Sequence, residues 1–107
     1  MTAFEHQVAD VILAIEAEMR RIGLWETQAP SPQALASLQP FCYDTLRFDQ
    51  WLQWIFLVRM RALLEDGTSL PTTSDIAPLA EDFFATCHQD TDRLLALIRD
   101  FDRLIGS

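Results

Sequence analysis

The chain has 107 residues, a formal charge of −8 and a sequence pI near 4.4; half of it is hydrophobic, and all eight of its basic side chains are arginine. A domain of this size buries one core without disulfide or metal staples, and seven Phe and three Trp against three Gly and five Pro exclude a disordered tail. Residues 1–29, 30–70 and 71–107 carry −3, −1 and −4, so no segment forms the basic module that a direct nucleic-acid binder needs.

Thr2-Ala3-Phe4-Glu5 fits a capping box, with the threonine hydroxyl and the glutamate carboxylate taking the free amides at a helix start. Apolar residues then recur at Phe4, Val8, Val11, Ile12, Ile15, Met19 and Ile22, the spacing of one helical face. Gly23 is the expected stop, because glycine takes the left-handed conformation that closes a helix, and Leu24 and Trp25 are expected to fold back on the last turn. Glu26 to Tyr43 reads as a connector with three prolines, in which Ser31-Pro32 starts a short helix running to about Leu38. Pro40 breaks it, leaving Gln39 extended and Phe41 placed to plug the core. Asp44 and Thr45 offer oxygens suited to capping the next helix.

From about Phe48 to Asp66 the pattern is helical again, with Phe48, Trp51, Leu52, Ile55, Val58 and Leu63 on one stripe. Trp54, Phe56, Leu57, Met60 and Leu64 widen that stripe almost to a full circle, the mark of a central helix. Its apolar stretch, Trp51 to Val58, falls far short of the ~20 residues that cross a bilayer, so no membrane role is expected. Leu70-Pro71 and Pro78 bracket a second loop, and Pro78 suits the first turn of a short helix carrying Leu79, Phe83 and Phe84. A last helix, starting near Gln89 or Asp90, presents Leu94, Leu97, Ile98, Phe101, Leu104 and Ile105. The fold class is therefore all-α: a single domain over residues 1–107, built as a compact helical bundle of three long helices and one or two short ones.

The start lacks a charged segment followed by an apolar one, so it does not read as a signal peptide, and a reducing cytoplasm is the expected compartment. Cys42 and Cys87 then read as small apolar core residues. With His6 and His88 they lack the spacing of a zinc site, so no metal and no cofactor is expected. A Cys87/His88 nucleophile pair is disfavoured because neighbouring side chains point apart. Asp44, Asp49 and Asp75 sit near loops and helix starts, where caps are commoner than general bases. No catalytic residue is assigned.

The residues Gln39-Pro40-Phe41, Asp44-Thr45, Trp51-Leu52-Gln53-Trp54, Arg59-Met60, Leu63-Leu64, Leu70-Pro71 and Ile76-Ala77-Pro78 resemble the YqcC-like family of small bacterial proteins. The resemblance is strongest over Gln39 to Phe84 and implies a cytosolic helical bundle. It transfers no biochemical activity. Genes of the family often lie beside one for a tRNA pseudouridine synthase, which implies a pathway. Relatives frequently carry proline where this chain has Val58, so a straighter helix is expected here.

Trp51 and Trp54 read as core, whereas Phe41, Tyr43, Asp44, Gln53 and Arg59 could place polar groups beside aromatics as a rim. Together these seven residues, Phe41, Tyr43, Asp44, Trp51, Gln53, Trp54 and Arg59, are the candidate binding surface. The favoured reading is a non-catalytic protein-interaction domain whose acidity suits a basic partner such as an RNA-modifying enzyme. The alternative is a small-ligand-binding bundle with its pocket between the Gln39-Pro40-Phe41 segment and the central helix. A homodimer follows if Trp54, Phe56 and Leu57 cannot all be covered by one chain.

Overall fold

The computed structural model describes residues 2–106, which form helices and loops with no strand among them. Helix α1 (Ala3–Ile22) begins at the expected capping box: Glu5 N–H donates to Thr2 Oγ1 at 3.1 Å and Thr2 N–H to Glu5 Oε1 at 3.2 Å. It ends at Gly23, whose φ of 82° lets Leu24 N–H reach back to the Met19 carbonyl at 2.9 Å. Val8, Ile12, Ile15 and Met19 are the buried face. Arg20 then stacks over Trp25, 4.4 Å from the ring centre, and carries the chain into the connector.

Ser31 caps the short α2 (Pro32–Leu35) by accepting from Ala34 N–H at 3.1 Å. Gln39 is extended, and Pro40–Cys42 form one 3₁₀ turn in which Phe41 and Cys42 both have positive φ, 57° and 49°. Two consecutive left-handed residues without glycine cost about 1–2 kcal/mol each, so contacts elsewhere must hold this turn. Asp44 and Thr45 do not cap the next helix. Asp44 accepts from the Ser37 hydroxyl at 2.6 Å and Thr45 donates to the Ala34 carbonyl at 2.7 Å, which ties the connector to itself. The cap comes instead from Gln50, whose Oε1 accepts from Arg47 N–H at 2.9 Å.

The central helix runs in three continuous parts, α3 (Phe48–Trp51), a π segment (Leu52–Leu57) and α4 (Val58–Asp66), to Gly67 at φ 66°. The π segment changes the expected stripe. Phe48, Leu52, Phe56 and Met60 are buried, whereas Ile55 is only half-buried and Val58 is 52% exposed. In a regular α-helix every fourth residue drifts by about 40°, so three such steps would carry Met60 far from Phe48. The wider π turn absorbs that drift, and it does so with no proline in the helix.

Helix α5 (Ala77–Phe84) has Pro78 in its first turn, and α6 (Asp92–Ile105) starts slightly later than expected because the Asp90 carboxylate accepts from Asp92 N–H at 3.1 Å. The amides at the start of α5 are capped from another helix. Asp102, on α6 and only 5% exposed, accepts from Ala77 N–H at 2.8 Å, Ile76 N–H at 2.9 Å and the Ser74 hydroxyl at 2.5 Å. Helix α6 lies between α1 and α5, and the central helix closes the core. The long and short helices together make the all-α bundle expected.

Candidate functional site

Three of the seven candidate residues meet in one place. Phe41, Trp51 and Arg59 line a cleft of about 260 Å³ between the 3₁₀ turn, the central helix and the loop before α5, floored by Phe56 and Phe101 and edged by Asp75. The aromatic rings form a connected set: Phe41 sits edge-on to Trp51 at 4.7 Å, Trp51 lies 5.5 Å from Phe56, and Phe56 meets Phe101 edge-on at 4.8 Å. These contacts hold Phe41 in its left-handed backbone. The strained turn and the π segment thus adjoin the same cleft, and both are backbone departures that concentrate at functional sites.

Tyr43 belongs to a neighbouring groove of about 420 Å³, shared with Phe41, Phe48, Leu79 and Phe83. It is 67% exposed, and Leu38, which the pattern of apolar spacing did not single out, is 98% exposed at the end of the same connector.

Gln53 and Trp54 do not join this group. Gln53 is buried and clamps the backbone of Glu26, accepting from its N–H at 2.9 Å and donating to its carbonyl at 2.8 Å. Trp54 Nε1 donates to the Glu26 carboxylate at 3.3 Å, which Arg47 also reaches at 3.0 Å and Gln50 at 3.3 Å. Partial burial pushes the Glu26 carboxyl upward, but these three donors and the Arg47 charge outweigh it and hold the group below the ordinary glutamate range. These contacts anchor the connector to the central helix. Its sequence signal is the run Gln50, Gln53, Trp54, three hydrogen-bonding side chains on one helical face.

Charge separates Arg59 from every other arginine. Arg20 and Arg61 pair with Glu16, Arg21 and Arg93 with Glu18, Arg47 with Glu26 and Asp49, Arg99 with Glu81 and Arg103 with Asp100. Among the described residues Arg59 is the one arginine with no carboxylate within ion-pair distance, although Asp75 borders the same cleft. It is exposed at the mouth of an aromatic cavity.

Both cysteines are free, and Cys42 is buried. Burial, aided by the Asp49 charge, pushes the Cys87 thiol up, the opposite of an activated nucleophile. Phe56 and Leu57 are buried within the chain, and Trp54 donates its N–H to Glu26. Of the three side chains whose exposure would favour a homodimer, Phe56 and Leu57 are thus covered and Trp54 is half-buried. No helix among the described residues is long and apolar enough to cross a membrane.

Residues 7–104 match the family DUF446, described as tRNA pseudouridine synthase C. The chain is 36% identical over 93 residues to the uncharacterized protein YqcC of Escherichia coli K12, covering 87% of this chain and 85% of that one. An NMR solution structure of E. coli YqcC is similar with a TM-score of 0.84 at 32% identity, over 99% of this chain and 91% of that one. An uncharacterized protein of Haemophilus influenzae is 41% identical over 68 residues, 64% of each chain. A Pectobacterium carotovorum protein named tRNA pseudouridine synthase C is 40% identical over 67 residues, which are 63% of this chain and 18% of that protein. This chain belongs to the YqcC-like family, DUF446.

Proposed function

We propose that this YqcC-like domain is a non-catalytic cytoplasmic partner of a tRNA pseudouridine synthase, binding the enzyme rather than the RNA. The carrying observation is the Pectobacterium protein, which bears the synthase name while more than four fifths of it lies outside the match. That remainder is ample for a separate domain, and a domain carried within one such chain has a ready role as a separate partner in another. Charge supports the same division of labour. The chain is acidic throughout, and seven of its eight arginines are already engaged by carboxylates, so little basic surface is free for phosphates. An acidic domain is steered toward the basic surface that an RNA-handling enzyme presents.

The aromatic cleft with Arg59 at its mouth supports a second reading, a small anionic ligand held between the 3₁₀ turn and the central helix. The two readings separate in one experiment. The chain is mixed with tRNA pseudouridine synthase C of the same organism, with and without nuclease, and followed by size-exclusion chromatography with light scattering and by titration calorimetry. A stoichiometric complex indifferent to nuclease is expected. Its absence, together with a small molecule found by native mass spectrometry on the protein purified from its own cells, would replace the partner reading by the ligand one.

A further inference from the structure

We infer that the cleft between the Pro40–Cys42 turn and the central helix is the docking point for a peptide segment of the synthase that offers an apolar side chain beside a carboxylate; this rests on the partner reading above. Three independent features of the cleft match that occupant. Phe41, Trp51 and Phe56 make an aromatic wall, which takes an apolar side chain. Arg59 is the only arginine among the described residues that no carboxylate engages, and its planar fork suits a carboxylate from outside the chain. Asp75, exposed at the same cleft, is an acceptor for the N–H groups that a peptide backbone supplies and that a simple anion lacks.

The surroundings favour a macromolecule over a metabolite. The cleft continues through Phe41 into the apolar groove of Tyr43 and Leu79, and Leu38 stands 98% exposed on the same connector. The Tyr43 ring, 67% exposed in that groove, and Arg59 at the cleft are of the residue types that anchor partner surfaces. The strained 3₁₀ turn presents Phe41 in a fixed position before the partner arrives, so little ordering entropy is lost on docking.

The test measures the affinity of the full chain for tRNA pseudouridine synthase C of the same organism. Arg59→Ala, Arg59→Glu, Arg59→Lys and Tyr43→Ala are compared with a remote control, Arg103→Ala on α6. Thermal melts establish that each variant is folded. Arg59→Ala and Tyr43→Ala are expected to weaken binding at least tenfold, Arg59→Glu more than Arg59→Ala, Arg59→Lys less, and the control to leave Kd within twofold. Wild-type binding that survives Arg59→Glu and Tyr43→Ala unchanged would overturn the cleft assignment while leaving the partnership standing. A wild-type chain that fails to bind the synthase at all would sink both. Self-association lost in Arg59→Glu, with synthase affinity unaltered, would give the cleft to a second copy and overturn the proposal equally.

Discussion

Asp102 gives the sharpest test of how this fold is held. Its carboxylate caps α5, taking the Ile76 and Ala77 amides, both on buried residues, together with the Ser74 hydroxyl. Asp102→Ala leaves two buried N–H donors with no acceptor. Each unsatisfied donor costs about 1–3 kcal/mol, and hydrogen bonds to a charged group lie at the upper end, so the loss should be roughly 3–5 kcal/mol. That is a large part of the ~5–15 kcal/mol that a domain has in total. Asp102→Asn keeps one carbonyl oxygen facing the two amides, and its loss should be only about 1–2 kcal/mol. Urea unfolding followed by far-UV circular dichroism gives both values, and amide exchange at Ile76 and Ala77 reports whether the start of α5 opens first. An alanine variant within about 1 kcal/mol of wild type, or no less stable than the asparagine variant, would refute the capping argument.

Gly23→Ala meets open space, with no atom within 4 Å of the added Cβ, so its cost is purely the φ of 82° and should be about 1 kcal/mol in thermal unfolding. Glu26 titrates below its unfolded value, so its anchor is fully in place above the ordinary glutamate range and is lost as pH falls through the lower folded value. Acid unfolding of wild type should therefore be steeper across that window than in Glu26→Gln, measured by melts at stepped pH. Gln53→Ala releases the Glu26 backbone from both sides and, with the glutamine buried, should cost about 2–3 kcal/mol and raise exchange at the Glu26 amide. Arg59→Ala, with no internal partner to lose, should melt within about 0.5 kcal/mol of wild type; a larger drop would make Arg59 a structural residue.

Much of the architecture is legible from periodicity and caps. The Thr2/Glu5 box, the Gly23 stop and the extended Gln39 before Pro40 are local signals, decided by neighbours a few residues away, and the structure has them as expected. The features that escaped reading depend on partners distant in sequence. The cap on α5 comes from Asp102, 25 residues beyond Ala77, and a carboxylate beside Phe101 carries no local mark of that duty. The stripe through Ile55 and Val58 failed because a period of 3.6 was assumed where the backbone takes a wider turn. Of the candidate surface, the cleft group Phe41, Trp51 and Arg59 is united by the structure, while Gln53, expected as a polar rim beside the aromatics, and Trp54, expected in the core, both grip Glu26. The isolation of Arg59 was beyond sequence altogether, since it emerges only once every other arginine has found its acid.

The π segment also makes this helix tolerant of a change that most helices refuse. Removing one residue from a regular helix swings everything downstream by about 100° and throws its buried face into solvent. Here Leu52–Leu57 already holds the equivalent of one residue too many. A single deletion inside that stretch, at half-buried Ile55, would collapse the wide turn into an ordinary one and leave Phe48 and Met60 facing the core together. Shortening and lengthening of the chain are therefore unequal events in this fold: the central helix carries a slack residue that can be lost, and relatives lacking it would differ in length without differing in architecture.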